Sequence, residues 1–363
     1  MLHRRLAHVG VRSMMVAVFL VALALVACTE AGDDGATRVT ENAPVVAPTV
    51  GVTATASATA AASPTPTMTA VASATIEATE VAPTEEPAPT GDDGVEFSGE
   101  RAFDQLEAQM AFGPRWPGSP GHEAVGDYIV EELRALGWEV EEQQFEYMGV
   151  EGRNIIGRAN MTREDVYIIG AHYDTRRVAD ETPGAVEEQL PVPGAVDGAS
   201  GVALLLELAR TLDLEEVPGA VWLTFFDMED NGSGGIPGWD WIVGSTHMAE
   251  NLEVTPEAMV LVDMIGDADQ QLFFEGNSDA ALRESLWSIA GDLGYGDTFI
   301  PRLRYTIIDD HVPFARRGIP AVDIIDFDYP YWHTVEDTTD KASAESLERV
   351  GRTIEVWLES ELE

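Results

Sequence analysis

The sequence predicts a three-layer α/β/α sandwich with a mixed, mostly parallel central sheet. Short apolar runs typical of buried strands alternate with stretches in which apolar residues recur at helical spacing. Several of the strand-like runs end in a histidine or an acid, as at His172 and Asp263. Because alternating strands and helices favour parallel pairing with helices on both faces, we expect one large α/β domain over residues 98–363.

The predicted elements follow one another along this domain. The first helix has Val125, Ile129, Leu133 and Leu136 on one face and ends at Gly137. Strands are predicted at residues 138–145, 154–158, 166–171, 220–226, 259–262 and 319–325. Further helices are predicted at residues 199–212, 280–293 and 343–358.

The N-terminus has the features of an export signal. Arg4, Arg5 and Arg12 precede an apolar run over residues 14–27, and the run ends at Cys28. The segment 25–28 resembles the bacterial lipobox, in which the cysteine is lipidated and becomes the mature N-terminus. We therefore expect residues 1–27 to be a lipoprotein signal peptide. An uncleaved membrane anchor is the alternative.

Residues 28–97 are rich in Ala, Thr and Pro. Their apolar members are mostly small, and no Lys or Arg occurs between Arg38 and Arg101. Such a segment cannot bury enough surface to offset the entropy of ordering. It is predicted to be a disordered tether that holds the folded domain outside the cytoplasm, at the bacterial cell membrane, through its lipid anchor.

Composition excludes several classes of function. The formal net charge is −43 and Lys341 is the only lysine, which argues against nucleic acid as a partner. Cys28 is the only cysteine, so disulfides, cysteine metal sites and cysteine nucleophiles are excluded. The sequence contains no HExxH helix motif, no G-x-S-x-G elbow and no phosphate-binding loop.

Histidines and carboxylates at strand ends are candidate metal ligands, because zinc accepts imidazole nitrogen and carboxylate oxygen. Taken alone, each residue could instead have an ordinary structural role: a histidine whose hydrogen bonds are all made within the fold, a helix N-cap, or an acid in a solvated or tight turn. Their joint occurrence argues for a cation, since acids gathered after buried strands are costly unless neutralised. The candidates are His172, Asp197, Asp227, Glu229, Asp230, Asp263 and His333.

Five ordered segments resemble the zinc aminopeptidase family, which includes bacterial leucyl aminopeptidases, aminopeptidase Y and glutamate carboxypeptidase II, with the glutaminyl-peptide cyclotransferases as a branch. The segments are residues 170–174, 196–201, 225–230, 262–266 and 332–334. The resemblance implies the same layered fold, one or two zinc ions, and peptides with a free N-terminus as substrates.

The resemblance also implies a role for each matching residue. Asp197 would bridge two zinc ions, and Glu229 would be the general acid/base. The other implied ligands are His172, Asp230, Asp263 and His333. The family more often has Glu at the position of Asp230, and it has a cis peptide bond after the bridging aspartate, here Asp197-Gly198.

Such a site supports two reactions. In hydrolysis, zinc activates the water that attacks a peptide carbonyl, and Glu229 carries its proton to the leaving amine. In cyclisation, an N-terminal glutaminyl side chain is attacked by its own α-amine, and Glu229 carries the proton to departing ammonia. The ligand set alone cannot decide between them.

Residues outside the ligand set point both ways. Residues 309–314 and 316–320 resemble the cyclase branch, in which Asp309 would match a proton-relay aspartate and Trp332 a pocket wall. Structural alternatives are a helix N-cap for Asp309 and core packing for Trp332. Animal cyclases have a histidine at the position of Asp323, which argues against the cyclase. We expect three residues to contact substrate: Trp239, Asp323 and Trp332. Because both metal sites are fully liganded, we expect an aminopeptidase, with a cyclase and a non-catalytic surface binding protein as alternatives.

Overall fold

The computed structural model describes residues 96–184 and 186–360. The predicted signal peptide, Cys28 and nearly all of the predicted tether lie outside the described residues. Among those that are described, no helix is both long and apolar enough to cross a bilayer.

The described residues form eight strands and seven α-helices. The strands are β1 (Glu139–Tyr147), β2 (Val150–Ala159), β3 (Val166–His172), β4 (Ala220–Phe226), β5 (Ala258–Asp263), β6 (Leu272–Glu275), β7 (Phe299–Tyr305) and β8 (Ala321–Ile325). The helices are α1 (Gly99–Met110), α2 (Pro120–Ala135), α3 (Ala199–Thr211), α4 (Val243–Asn251), α5 (Ala280–Asp292), α6 (Val312–Arg316) and α7 (Ala344–Glu359).

Six strands build the central sheet in the order β1-β2-β4-β3-β5-β8. The hairpin β1–β2 and the pairing of β2 with β4 are antiparallel, whereas β4, β3, β5 and β8 run parallel to one another. Strands β6 and β7 form a separate parallel pair. The predicted fold class is confirmed: the central sheet is mixed and mostly parallel.

Two apolar cores lie on opposite faces of this sheet. The larger core packs α2, α3, α5 and α7 against the sheet through residues such as Ile129, Leu205 and Trp357. The smaller core uses Met248 from α4 and Phe314 from α6. Helix α3 is buried on nearly every side, in keeping with its mostly apolar sequence, which Glu207 and Arg210 interrupt in the second half. The helices therefore cover the two faces of the sheet, and the carboxyl ends of the parallel strands remain uncovered along one edge.

The strongest apolar patterns predicted their elements well, and the weaker ones did not. Strand β4 has the predicted bounds, residue for residue, because a wholly buried run is followed by Asp227. Strand β8 begins two residues later than predicted, after Pro320, which has no N–H for a sheet ladder. Four elements were not predicted from the sequence: α1, α4, β6 and β7. Strand β6 has only four residues, and α4 lacks a clear apolar face.

Candidate metal centre

The five predicted ligands converge at the carboxyl edge of the parallel strands. His172 is the last residue of β3 and Asp263 is the last residue of β5. Asp230 follows the end of β4, Asp197 lies in the turn before α3, and His333 lies in the loop after β8. Because β3, β4 and β5 are parallel neighbours, their ends and the turns that follow them meet at one place.

Two triads share Asp197. In the first, Nε2 of His172 lies 3.2 Å from Oδ1 of Asp197 and 3.2 Å from Oδ1 of Asp263. In the second, Nε2 of His333 lies 2.8 Å from Oδ1 of Asp230 and 3.8 Å from Oδ2 of Asp197. Within each triad, one candidate ligand atom per residue lies within 4.8 Å of the others. The two oxygens of Asp197 thus face different triads, as a bridging carboxylate requires.

The donor set fits zinc. Oδ2 of Asp197 and Oδ2 of Asp230 are buried and have no hydrogen-bond partner within the described chain. An unpartnered buried carboxylate oxygen is costly, and a cation beside it would offset that cost. Two imidazoles and three carboxylates are ligands that zinc accepts, so each triad could hold one ion.

Both histidines are held so that Nε2 faces the candidate metal position. Nδ1 of His172 lies 3.1 Å from the carbonyl oxygen of Asp174, to which it can donate. Nδ1 of His333 lies 3.5 Å from Oδ1 of Asp180. A metal-binding histidine commonly donates its second ring N–H to such an oxygen, which selects the tautomer with a free Nε2. These contacts therefore prepare both rings for metal.

Asp174 positions the acidic turn after β4. Its Oδ1 accepts from the backbone N–H of Glu229 at 2.9 Å, and its Oδ2 accepts from the N–H of Asp230 at 3.3 Å. Asp174 also accepts from the side-chain amide of Asn231. This role was not predicted, although Asp174 belongs to one of the five family-like segments. Its place two residues after a candidate ligand was the available signal.

The backbone is unusual beside the ligands. Met228 (φ 57°), Met264 (φ 47°) and His333 (φ 55°) all have positive φ, which is uncommon outside glycine and clusters at functional sites. Met228 precedes Glu229 and Met264 follows Asp263. The strained turns therefore aim the side chains that would bind metal or substrate.

The implied cis peptide bond between Asp197 and Gly198 is absent, and this expectation is wrong. The described residues contain no cis peptide. The turn is made instead by Gly198 at φ +102°, where an added Cβ would lie 2.9 Å from the carbonyl oxygen of Asp174. Asp337 further holds this turn, accepting from the N–H of Val196 at 2.9 Å and of Asp197 at 3.2 Å.

Glu229 belongs to neither triad but faces the same cleft. Its Oε2 lies 4.0 Å from Nδ1 of His172. Burial raises the pKa of Glu229 well above its usual range, and the nearby carboxylates of Asp230 and Asp309 reinforce this against the opposing charge of His172. The side chain is therefore placed and tuned as a group that can hold a proton.

A pocket of about 310 Å³ opens beside both triads. Its apolar walls include Trp241, Ile307, Phe327 and Trp332. The ring of Trp332 stacks on His333, with centroids 3.7 Å apart and planes at 24°. The pocket thus combines buried acids with an aromatic wall, which is typical of a small-substrate site.

Two residues expected at this pocket lie elsewhere. Trp239 is buried edge-on against Tyr147, with ring centroids 5.4 Å apart, whereas Trp241 lines the pocket. Residues 239–242 belong to no helix or strand, so no periodic pattern could tell which tryptophan faces the cleft. Asp323 lies in the middle of β8, fully buried behind the pocket.

A second group of buried acids begins at Asp309 on the pocket wall. Burial and the charge of Asp263 raise the pKa of Asp309 to about 7. Burial also raises the pKa of Asp323, and the negative charges of Asp309 and Asp263 add to this. Behind them, His311 lies between two acids. Its Nδ1 is 3.7 Å from Oδ2 of Asp323, and its Nε2 is 3.2 Å from Oε2 of Glu275. Glu275 was not predicted as part of the site, because it lies in the short strand β6.

Known proteins are similar to this chain in sequence and fold. The profile described as Peptidase family M28 matches residues 154–358, which include every candidate ligand. A glutaminyl-peptide cyclotransferase of Boiga irregularis is 28% identical over 287 residues, covering 67% of this chain and 76% of that protein.

Two crystal structures are similar along nearly their whole length. A Zn-dependent exopeptidase from Parabacteroides distasonis is 34% identical, with a TM-score of 0.69, and the match covers 73% of this chain and 99% of that one. A Bacteroides thetaiotaomicron glutaminyl cyclase bound to N-acetylhistamine is 31% identical, with a TM-score of 0.70 and coverage of 74% and 100%. The identification made from the motifs is confirmed: the chain belongs to peptidase family M28 and is an enzyme of its zinc-dependent exopeptidase and glutaminyl cyclase kind.

Proposed function

We propose that the protein is a zinc-dependent glutaminyl-peptide cyclotransferase, which converts an N-terminal glutamine to pyroglutamate and releases ammonia. The observation that carries this proposal is Asp309, a buried carboxyl group that belongs to neither triad and lines the same pocket as Glu229. The complete set of candidate metal ligands in the sequence favoured the aminopeptidase instead. The arrangement of proton-holding groups now favours the cyclase.

Cyclisation moves one proton between two nitrogens. The neutral α-amine attacks the side-chain amide carbon, a carbon–nitrogen bond closes the ring, and the bond to the amide nitrogen breaks. Glu229 takes the proton that the α-amine loses and delivers it to the departing nitrogen. Because burial raises the pKa of Glu229, its carboxyl group can hold that proton between the two steps.

Besides an acid/base, cyclisation needs a group that orients the α-amine, and we infer that Asp309 is this group. A carboxylate on the pocket wall can accept a hydrogen bond from the α-amine and hold its nitrogen toward the amide carbon. The pKa of about 7 lets Asp309 change protonation near neutral pH. Peptide hydrolysis requires only one group of this kind, which Glu229 already provides.

The pocket also suits a glutaminyl side chain. Its walls include Ile325, Phe327 and Trp332, which limit the access of water. Water is the competing nucleophile, so its exclusion favours attack by the amine. Zinc, when bound, polarises the amide carbonyl.

Aminopeptidase activity is the second candidate, and one observation favours it. Both triads are complete and share Asp197, which is the arrangement of a two-metal hydrolytic site. The same pocket would then hold the side chain of a residue that is cut off rather than cyclised.

One peptide distinguishes the two reactions. The purified protein is incubated with a Gln-initiated peptide, and the products are identified by mass spectrometry together with an ammonia assay. We expect a pyroglutamyl peptide of unchanged length and an equal amount of ammonia. Free glutamine and a peptide shortened by one residue would overturn the proposal in favour of hydrolysis. Leu-p-nitroanilide serves as the matched peptidase substrate.

A further inference from the structure

A second cavity of about 440 Å³ adjoins the pocket, and Trp241 and Ile308 line both. It lies between β1, the segment leading into α4, and α4 itself, and we call it the downstream groove. We propose that the downstream groove binds the residues that follow the N-terminal residue of a peptide substrate and favours lysine or arginine there. The proposal rests on the proposed function only in that the pocket holds a peptide N-terminus, whichever bond then reacts.

Because the groove is continuous with the pocket, its expected occupant is the rest of a peptide whose first residue lies in the pocket. A peptide whose first residue fills the pocket must leave it, and the shared residues Trp241 and Ile308 form the boundary with the groove. Ile308 is 65% exposed at this boundary, where a passing backbone could cover it. An extended chain advances about 3.3 Å per residue, so a few residues suffice to cross from pocket to groove.

Trp241 is held rigidly at this boundary. Its ring lies parallel to the ring of His333, with centroids 6.0 Å apart and planes at 8°. The guanidinium carbon of Arg176 lies 4.8 Å from the centroid of the same ring. A fixed aromatic wall shared by two cavities favours one path for the substrate chain, since no side chain has to move to open it.

The floor of the groove is apolar and aromatic. Phe145 stacks on His247, with ring centroids 5.0 Å apart and planes at 26°, and Val243 completes the lining beside them. Such a surface can cover the aliphatic part of a long side chain. The methylenes of lysine and arginine pack on surfaces of this kind while their charged ends reach toward polar groups.

The rim of the groove is acidic. Glu146, Asp240 and Glu250 are exposed along it, against Arg316 on the rim and His247 on the floor. Asp240 is held in place by the hydroxyl of Tyr147, which donates to its Oδ2 at 2.9 Å. An apolar floor edged by three acids and one base is complementary to a cationic peptide and repels an acidic one.

The test compares three substrates that differ only beyond the first residue. Glutamine amide does not reach the groove, whereas Gln-Ala-Lys-Lys and Gln-Ala-Glu-Glu do. Exposed ion pairs are weak, so each rim acid is expected to contribute about two- to five-fold to kcat/KM. For the parent protein we expect the lysine peptide to exceed the glutamate peptide by about ten-fold at low salt, with a smaller ratio as salt screens the charges.

The rim is tested by the double variant Asp240→Asn/Glu250→Gln, in which the new amide oxygen at the first position can still accept from Tyr147. Its charge-matched control is Asp297→Asn/Glu284→Gln, at two exposed positions away from the groove. The rim variant should lose most of the lysine preference while its kcat/KM for glutamine amide stays unchanged. An equal loss in the control would mean that the overall negative charge, and not the groove, selects the peptide.

A binding measurement tests the groove independently of which reaction the protein catalyses. The affinities of the two tetrapeptides are measured by calorimetry with Glu229→Gln protein, which is expected to bind without turnover. If the lysine peptide binds more tightly while the parent protein cyclises neither peptide, the groove is supported and the proposed function fails. If the parent protein cyclises both peptides at the same kcat/KM, the groove is refuted and the proposed function stands.

Discussion

Nε2 of His333 lies 2.8 Å from Oδ1 of Asp230, although 103 residues separate them in the chain. The contact joins the turn after β4 to the loop after β8. Oδ2 of Asp230 is left buried without a partner, and burial and the charge of Asp197 raise the pKa of Asp230 to about 6. Two groups held this closely, with an unused acceptor beside them, are arranged for a cation.

Removal of zinc is expected to destabilise the protein. Without a cation, the triads leave several carboxylates together at low dielectric, which is unfavourable. A ligand present at about a hundred times its Kd stabilises the fold by about 3 kcal/mol, so a chelator should lower the midpoint of thermal unfolding by several degrees. Differential scanning calorimetry with and without chelator measures this. A His172→Ala/His333→Ala variant should show almost no response to zinc, and an equal response would contradict the assignment of both triads.

Replacement of Asp309 is expected to impair the reaction without loss of metal. Asp309→Asn removes a proton-holding group from the pocket wall while preserving its size. General acid–base groups typically contribute about 10²–10⁴-fold, so we expect kcat for the Gln-initiated peptide to fall by at least about 10²-fold. Zinc content should match the parent, because Asp309 belongs to neither triad. Asp297→Asn, at an exposed position, is the control. Unchanged kcat in Asp309→Asn would remove the observation on which the cyclase proposal rests.

Glu275 is expected to stabilise the fold in a pH-dependent way. Burial opposes its ionisation, but the close contact with His311 and hydrogen bonds from the backbone N–H groups of Asn277 and Ile307 outweigh this and hold the pKa of Glu275 at about 2. Its usual value is 4.5, so the ionised form contributes fully above that pH, and the contribution is lost as pH falls toward about 2. The difference between these two pKa values corresponds to about 3 kcal/mol in the free energy of unfolding.

The measurement is urea unfolding of the parent and Glu275→Gln proteins from pH 3 to pH 7, both with chelator so that zinc release at acid pH does not enter. The parent should be the more stable at pH 7, and the gap should narrow as the pH falls. A gap that stays constant over this range would show that ionisation of Glu275 contributes nothing.

Cys28 is proposed to carry the lipid that anchors the enzyme outside the cytoplasm. The proposal rests on the apolar run over residues 14–27, which ends at the only cysteine in the chain. We expect Cys28→Ser protein to leave the membrane fraction of expressing bacteria, while Ser57→Ala, a change within the proposed tether, leaves fractionation unchanged. Membrane retention of the Cys28→Ser protein equal to that of the parent would favour an uncleaved anchor.

Strand ends were the most informative feature of the sequence. A strand such as β4 is buried on both faces, so its apolar run is unbroken and its end is visible at Asp227. Because parallel strands end at one edge, the sequence alone could assign the acids and histidines that follow them to one site.

The pocket could not be predicted in the same way. Which of Trp239 and Trp241 lines it depends on an irregular turn, and no periodic pattern describes such a turn. The contact between His311 and Glu275 depends on β6, which is too short to leave a clear signal. The sequence therefore predicted which histidines and acids converge at this edge, but not the groups that surround them.

The proposed mechanism depends most directly on two adjacent residues with different tasks: we propose that Glu229 holds the proton and that Asp230 binds metal. The decisive measurement is zinc content and kcat for Glu229→Gln and Asp230→Asn, made side by side. Glu229→Gln should keep its zinc and lose about 10²–10⁴-fold in kcat, and Asp230→Asn should lose zinc. If Glu229→Gln lost zinc while Asp230→Asn kept it, or if both variants kept full activity, the assignment of this site would be contradicted.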